Sequence, residues 1–466
     1  MKVLLDLSLC IYPHNGMNQD MRMLLRGLAE DPGVEVTGLV YSRRRGALHE
    51  SLCRTGNAER QMLHQSRLLR AMVTEDPSVF GKPGPGRWLR ECRRGWLQRR
   101  FHVQPLRHGP FFDLIWRHYL QFSFERADME VLRHVRYAVS DLVSDIYIDR
   151  AHAGRAEPYL DTRGYDVAVF PDATPLRVAR GTRKIVRCHD LIPLNLPDTL
   201  QNHAHMNFQH RSIRFCREDS FFVCDSEATR RDLCAAFAGM EQRSRTVHCA
   251  VAGHYHPDSR PEQVQEVFRR RAVCGTVPGG VRPYFLAVST LEPRKNYLRL
   301  LEAFEAAVEG WEPQPLMVLV GAEGWNNAAL LERVQALAHK GRLLWLRGVT
   351  PHEMRLVYSS AVALANVSFA EGFGYSGVEA MKCGTPVVAS GIDVHREVCG
   401  EAAVYCDPYS TESICDALVR AGQEWHTERE RRQARVEQGL KQVSAYEARA
   451  LLPQWKECFA PGGIRE

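Results

Sequence analysis

At 466 residues the chain is longer than one modest core can organise, so two or three domains are expected, and 45% hydrophobic with 25% charged residues excludes a disordered or fibrous protein. No apolar run approaches the roughly 20 residues that span a bilayer. The 14 cysteines include no Cys-x-x-Cys pair and several sit in apolar runs (Cys188, Cys224, Cys249, Cys406), which reads as buried free thiols in a reducing cytoplasm. The net charge of +6 is uneven: Tyr41 to Pro110 holds 15 Lys/Arg against 5 Asp/Glu, leaving the rest of the chain at about −4.

Met1 to Leu9 has an acid at Asp6 and no small-residue cleavage site, so it reads as a buried strand from Lys2 to Leu9 rather than a leader. A loop through His14-Asn15-Gly16, a helical pattern from Met17 to Glu30 and a strand from Val34 to Tyr41 follow, the opening of a doubly wound sheet. Gly16 stands alone; the Gly-x-Gly-x-x-Gly dinucleotide fingerprint is absent. Ser42 to Leu160 is arginine-rich and broken by Gly81-Lys-Pro-Gly-Pro-Gly86. Within it Trp88 and Trp96 stand eight apart with arginines between them, a pattern that fits either a membrane-surface helix or a solvated arm packed by its tryptophans. No nucleic-acid recognition motif accompanies these cations.

Regular order returns with strands Asp166–Phe170, Arg183–Cys188 and Ser220–Cys224, the last two ending in His189-Asp190 and Asp225-Ser226-Glu227. Polar groups at the carboxyl ends of parallel strands are where open α/β sheets hold ligands. Ser226, ahead of a helical run to Phe237, reads as an N-cap. Glycines and prolines between Gly275 and Pro283 place the interdomain link, giving a first domain over residues 1–280, a second over 281–440 and a helical tail over 441–466. The second domain reads as strand Tyr284–Val288, loop Ser289–Asn296, helix, strand Leu316–Val320, helix, strand Leu343–Leu346, helix, strand Val362–Ala365. The expected fold class is therefore α/β, two Rossmann-like doubly wound domains facing across a cleft.

The chemistry concentrates between Phe369 and Ser390: a glycine-bearing loop Glu371-Gly-Phe-Gly374, a helical run Tyr375–Lys382 and a strand Pro386–Ser390. A loop feeding a helix start suits an anion, because first-turn N–H groups and the positive end of the helix dipole converge there. Glu371 in the loop and Glu379 in the helix fit a glycosidase pair, a metal site or two hydroxyl acceptors for a nucleotide sugar. Arg294 and Lys295, just before another helix, suit a diphosphate: a bidentate fork beside a point charge.

Glu371-Gly-Phe-Gly374, Glu379-Ala-Met and Cys383-Gly-Thr-Pro-Val-Val-Ala-Ser390 together resemble the Glu-x7-Glu signature of retaining glycosyltransferases of family 4, which have the GT-B fold. The resemblance is closest from Tyr284 to Ser410, weaker over Lys2–Tyr41 and Asp166–Leu233, and hardly extends to Ser42–Leu160. It implies that Arg294 and Lys295 neutralise the donor pyrophosphate, that Glu371 takes the donor-sugar hydroxyls and Glu379 the ribose, and that backbone near Val349 reads the base. Backbone N–H groups of Phe373, Gly374, Tyr375 and Ser376 would face sugar and phosphate, and the Gly16 loop the donor phosphates or the acceptor. Tyr375-Ser376-Gly377 departs from the apolar residue and proline common in the family. His189-Asp-Leu-Ile-Pro193 resembles a segment of bacterial family 4 mannosyltransferases, which places His189 against the donor sugar and makes GDP-mannose the first expectation. No cofactor or metal is implied, and no Asp-x-Asp occurs in the chain. The implied setting is bacterial surface polysaccharide or glycolipid assembly on a glycan or lipid-linked acceptor, in the cytoplasm or peripheral on the inner membrane face, with segment 42–110 a candidate membrane contact and nucleic acid not a partner. The competing readings are a hydrolase or phosphorylase on the same fold and a non-catalytic sugar-nucleotide-binding scaffold.

Overall fold

The computed structural model describes residues 1–12, 16–42, 58–73, 100–143, 158–202, 204–280 and 282–460. The expectations for His14-Asn15, for Gly81–Gly86 and for the Trp88–Trp96 stretch lie outside the described residues.

The first sheet has nine strands: β1 (Lys2–Asp6), β2 (Glu35–Ser42), β3 (Arg100–Pro105), β4 (Arg136–Val143), β5 (Tyr159–Asp161), β6 (Val167–Phe170), β7 (Arg183–Cys188), β8 (Ser220–Cys224) and β9 (Ser244–Thr246). They lie in the order β5-β3-β4-β2-β1-β6-β7-β8-β9, parallel except where β3 runs against β4. β1 is shorter than its apolar run suggests. Asp6 accepts the Ser8 N–H at 2.7 Å and the Tyr41 hydroxyl at 2.6 Å, and this local turn ends the strand in a 3₁₀ turn, Ser8–Ile11. The arginine-rich region, unreadable as pattern, contributes β3, β4 and β5 to the sheet, and Phe101 is fully buried in it.

The second sheet has seven strands: β10 (Ala272–Cys274), β11 (Tyr284–Val288), β12 (Leu316–Val320), β13 (Leu343–Leu346), β14 (Ala363–Asn366), β15 (Val387–Ser390) and β16 (Ala403–Cys406). Their order is β10-β13-β12-β11-β14-β15-β16, parallel except for β10 against β13. The chain thus enters this sheet at Ala272, ahead of the Gly275–Pro283 stretch where the sequence places the link. β10 is only three residues long with an exposed centre, which leaves no hydrophobic period to read.

Each sheet reverses strand order beside its first strand, at β1 between β2 and β6 and at β11 between β12 and β14. Crevices form at the carboxyl ends of such strands. Helix Arg429–Val443 packs on helix Tyr375–Lys382, and helix Ala448–Phe459 then returns to lie on helix Gly16–Glu30 of the first domain. Leu451, Trp455 and Phe459 are buried there, and Lys456 pairs with Asp31 at 2.7 Å. Among the described residues no helix is long and apolar enough to cross a membrane.

Candidate active site

A cavity of about 570 Å³ lies between the two domains. Its walls include every residue named from the sequence: Gly16, His189, Arg294, Lys295, Val349, Glu371, Phe373, Gly374, Tyr375, Ser376 and Glu379.

One end is cationic. The loop leaving β11 makes a 3₁₀ turn, Pro293–Lys295, and Asn296 then adopts a left-handed φ of 59°, which asparagine tolerates. Its side-chain amide donates to the Val367 and Pro408 carbonyls at 3.1 and 2.7 Å, and the Phe369 N–H donates to the Arg294 carbonyl at 2.9 Å. The loops after β11 and β14 are thereby locked together. Arg294 donates to Glu371 at 2.8 Å and to Glu292 at 2.6 Å, Lys295 donates to Glu371 at 2.6 Å, and the Ser368 hydroxyl reaches the same carboxylate at 2.7 Å. Burial would raise the Glu371 pKa, but Arg294 and then Lys295 hold it well below the ordinary range. Burial lowers the Lys295 pKa; Glu371 opposes that and Arg294 adds to it. Sequence separates these groups into a phosphate pair and a sugar acid, whereas the fold joins them in one buried ion cluster.

Across from them begins helix Tyr375–Lys382. Its N-cap, Gly374, sits at φ 84° and has no side chain to occupy the first-turn N–H groups. Gly372 allows the two domains to touch: a Cβ there would fall 1.9 Å from the His189 carbonyl oxygen. Its own carbonyl accepts from the Ser226 hydroxyl at 2.7 Å. Ser226 is indeed the N-cap of helix Glu227–Ala236, accepting from the Thr229 N–H, and it also ties this loop to the first domain.

Glu379 marks the other end. Tyr358 donates to one of its oxygens at 2.9 Å and Gln19, from the first domain, to the other at 3.2 Å. Burial raises its pKa to about 7 despite these donors. Ribose hydroxyls, which the family resemblance implies as its ligands, would favour its ionised form by donating to it. Affinity for a nucleoside diphosphate is therefore expected to be full at pH 8 and to fall severalfold by pH 6, read by titration calorimetry at both; a flat profile would detach Glu379 from the ribose. The stability sign runs the other way. Ionising Glu379 opposes folding, so its contribution is present below the ordinary value of 4.5 and is lost as pH rises through about 7.

His189 lines the cavity, yet both ring nitrogens are engaged. Nδ1 lies 2.6 Å from Asp225 and Nε2 2.8 Å from the Pro171 carbonyl, and two acceptors require both nitrogens to carry protons. Burial lowers its pKa, but Asp225 outweighs that and the net shift is upward. The Phe373 ring faces Tyr375, Tyr446 and His248 in the interdomain packing, so its backbone is the part available to the cavity. Tyr375 packs its ring on Gly16, where a Cβ would fall 2.6 Å from it.

Pattern reading misses the network behind His189. Arg187, fully buried, sets Nε 2.8 Å from Asp20 and 2.7 Å from Asp225. Arg187, a cation placed next to the end of a strand that is buried from Lys184 onward, is the available signal, since a buried charge requires a partner. Asp20, Asp225 and Cys249 have metal-ligand spacing among the described residues, but the guanidinium already supplies the positive charge between the acids.

Two doubly wound domains closing on such a cleft define the GT-B fold. HepE from Anabaena in complex with UDP and glucose superposes with a TM-score of 0.60 at 13% identity, over 98% of this chain and 99% of that one. Sucrose-phosphate synthase from Thermosynechococcus elongatus gives 0.60 at 14%, over 98% and 97%. Residues 278–442, the second domain, match the family described as "Glycosyl transferases group 1". Among curated relatives, O-antigen chain mannosyltransferase B of Escherichia coli is 27% identical over 279 residues, 59% of this chain and 68% of the relative. O-antigen chain mannosyltransferase RfbU of Salmonella typhimurium is 33% identical over 38% of this chain and 48% of its own length. Serotype-specific mannosyltransferase WbdA of Escherichia coli is 25% identical over 51% of this chain, which spans only 29% of that longer relative.

Proposed function

We propose that this protein transfers a hexose from a nucleotide sugar to a glycan or lipid-linked acceptor, with retention at the anomeric carbon, in bacterial surface polysaccharide or glycolipid assembly at the inner membrane face. The carrying observation is the convergence of Arg294, Lys295 and the uncapped start of helix Tyr375–Lys382 at one end of a cleft whose other end presents Glu379.

Cleaving the bond between the anomeric carbon and the phosphate oxygen leaves positive charge on the sugar and negative charge on the diphosphate. Arg294, Lys295 and the first-turn N–H groups stabilise the departing anion. Its oxygen takes the acceptor hydroxyl's proton on the same face as the acceptor oxygen bonds to the anomeric carbon. Glu371, once an incoming diphosphate draws on the two cations, is placed to accept hydroxyls of the donor sugar. His189, with both nitrogens committed, serves as a charged wall rather than as a base. No cofactor or metal enters this scheme.

The similarity to O-antigen chain mannosyltransferases favours mannose, hence GDP-mannose as donor; HepE's bound UDP makes a uridine donor the competing arm. Incubating the protein with GDP-mannose, UDP-glucose and UDP-N-acetylglucosamine, with and without membrane extract, is expected to release GDP from the first, dependent on extract and undiminished by EDTA. UDP release instead would reassign the donor. Binding without turnover in every arm would favour the non-catalytic scaffold.

A further inference from the structure

The resemblance to family 4 hardly extends to residues 42–160, yet part of that region reaches the cleft. Helix His108–Ile115 runs into one turn of π-helix, Trp116–Leu120, and the chain then turns so that Phe122 lines the cavity. Single π turns recur at functional sites because they re-aim the residues that follow.

Arg22 fixes this turn. It is fully buried on helix Gly16–Glu30 and donates to the Tyr119 carbonyl at 2.6 Å, the Ser123 hydroxyl at 3.1 Å and the Cys10 carbonyl at 2.6 Å. Its guanidinium lies 5.2 Å from the centre of the Phe122 ring. One helical turn earlier on the same helix, Gln19 reaches across the cleft to Glu379 at 3.2 Å. The same helix therefore positions two cavity-lining groups.

Neighbours decide which end of the cavity they serve. The Ser123 backbone lies beside the His254 ring, the next residue, Tyr255, lines the cavity and sets its ring edge-on to that of Tyr358, a donor to Glu379, with 5.9 Å between centres, and the His254 carbonyl accepts from Arg355 of helix Pro351–Ser359. That helix begins directly after Val349 and also supplies the cavity residues Pro351 and Met354. Arg294, Lys295 and Glu371 form their own cluster, linked to neither segment by the contacts above.

We propose that Phe122 and Gln19 form a first-domain wall of the nucleoside subsite, Phe122 packing on the nucleoside and Gln19 steering the Glu379 carboxylate toward the ribose. This rests on the nucleotide-sugar reading and adds to it. A nucleotide held only by the second domain would bind equally well in an open cleft; with this wall, nucleoside affinity depends on both domains. An aromatic ring against a nucleobase contributes enough for about a tenfold change in affinity.

The test is titration calorimetry with GDP and UDP on wild-type, Phe122→Ala, Phe122→Leu and Gln19→Ala proteins of matched melting temperature, with KM for donor and acceptor measured separately. Phe122→Ala is expected to raise the nucleoside diphosphate Kd and the donor KM about tenfold with kcat within twofold, and Phe122→Leu to recover most of that. Gln19→Ala is expected to shift the pH at which affinity falls. Unchanged Kd in both alanine variants, or a rise confined to the acceptor KM, overturns the wall while leaving the nucleotide-sugar reading intact. Wild-type protein that binds neither nucleotide defeats that reading and the wall with it.

Discussion

Lys295→Ala is expected to lower kcat/KM for the donor by about 10²- to 10³-fold, the loss typical of removing one preorganised donor to a developing anion. The side chain is mostly buried and donates to Glu371 at 2.6 Å, so its removal leaves Glu371 still paired with Arg294 at 2.8 Å and the fold supported. Steady-state release of nucleoside diphosphate measures the effect, with a melting curve as the control. A variant within threefold of wild type would mean that the diphosphate lies elsewhere. Lys295→Arg is not expected to rescue fully: the planar fork is longer, and Arg294 already occupies the adjacent space against Glu371 and Glu292.

Arg187→Met is expected to cost about 3–5 kcal/mol of first-domain stability, because it strands two buried carboxylates. The guanidinium also donates to the Val247 carbonyl at 2.6 Å and lies 5.1 Å from the Trp455 ring centre, so strand, connector and returning helix all lose a common anchor. Urea unfolding followed by circular dichroism would report the loss, and adding Asp20→Asn should restore part of it. A cost below about 1 kcal/mol would mean that the acids take up protons and need no counter-charge. The network also sets a pH window. Burial would raise the Asp225 pKa, but Arg187 and His189 lower it below 3.8, so its stabilisation is present above 3.8 and is lost as pH falls through the folded value. His189 is raised above 6.5, so its stabilisation is full below 6.5 and is lost as pH climbs through the folded value. Asp225 and His189 stabilise most between 3.8 and 6.5, whereas Asp20, raised by burial, contributes in full below 3.8 and loses that contribution as pH rises through its folded value.

The second domain was nearly transparent as sequence, because parallel strands buried on both faces, such as Leu316–Val320, appear as unbroken apolar runs between glycine-marked loops. Glu371, Arg294 and Lys295 stand out in the sequence by their position just before helix starts. What the sequence could not convey was contact across loops: nothing in the spacing of residues 294 and 371 announces a 2.8 Å ion pair. Nor did it show that His189 spends both nitrogens on Asp225 and Pro171, since one partner lies 36 residues further on and the other 18 back. β3 to β5 are obscure in the sequence for a different reason. Arg100–Pro105 alternates imperfectly and its centre is half-buried, so period and burial both fall short of a clear strand signal.

The returning helix Ala448–Phe459 has a consequence for synthesis on the ribosome. Lys456 and Asp31 meet across 425 residues of chain, so the face of helix Gly16–Glu30 that receives Leu451 and Trp455 emerges long before its cover exists. The nascent first domain must therefore wait, with that apolar stripe open to chaperones, until the second domain has been translated and the chain doubles back to close it.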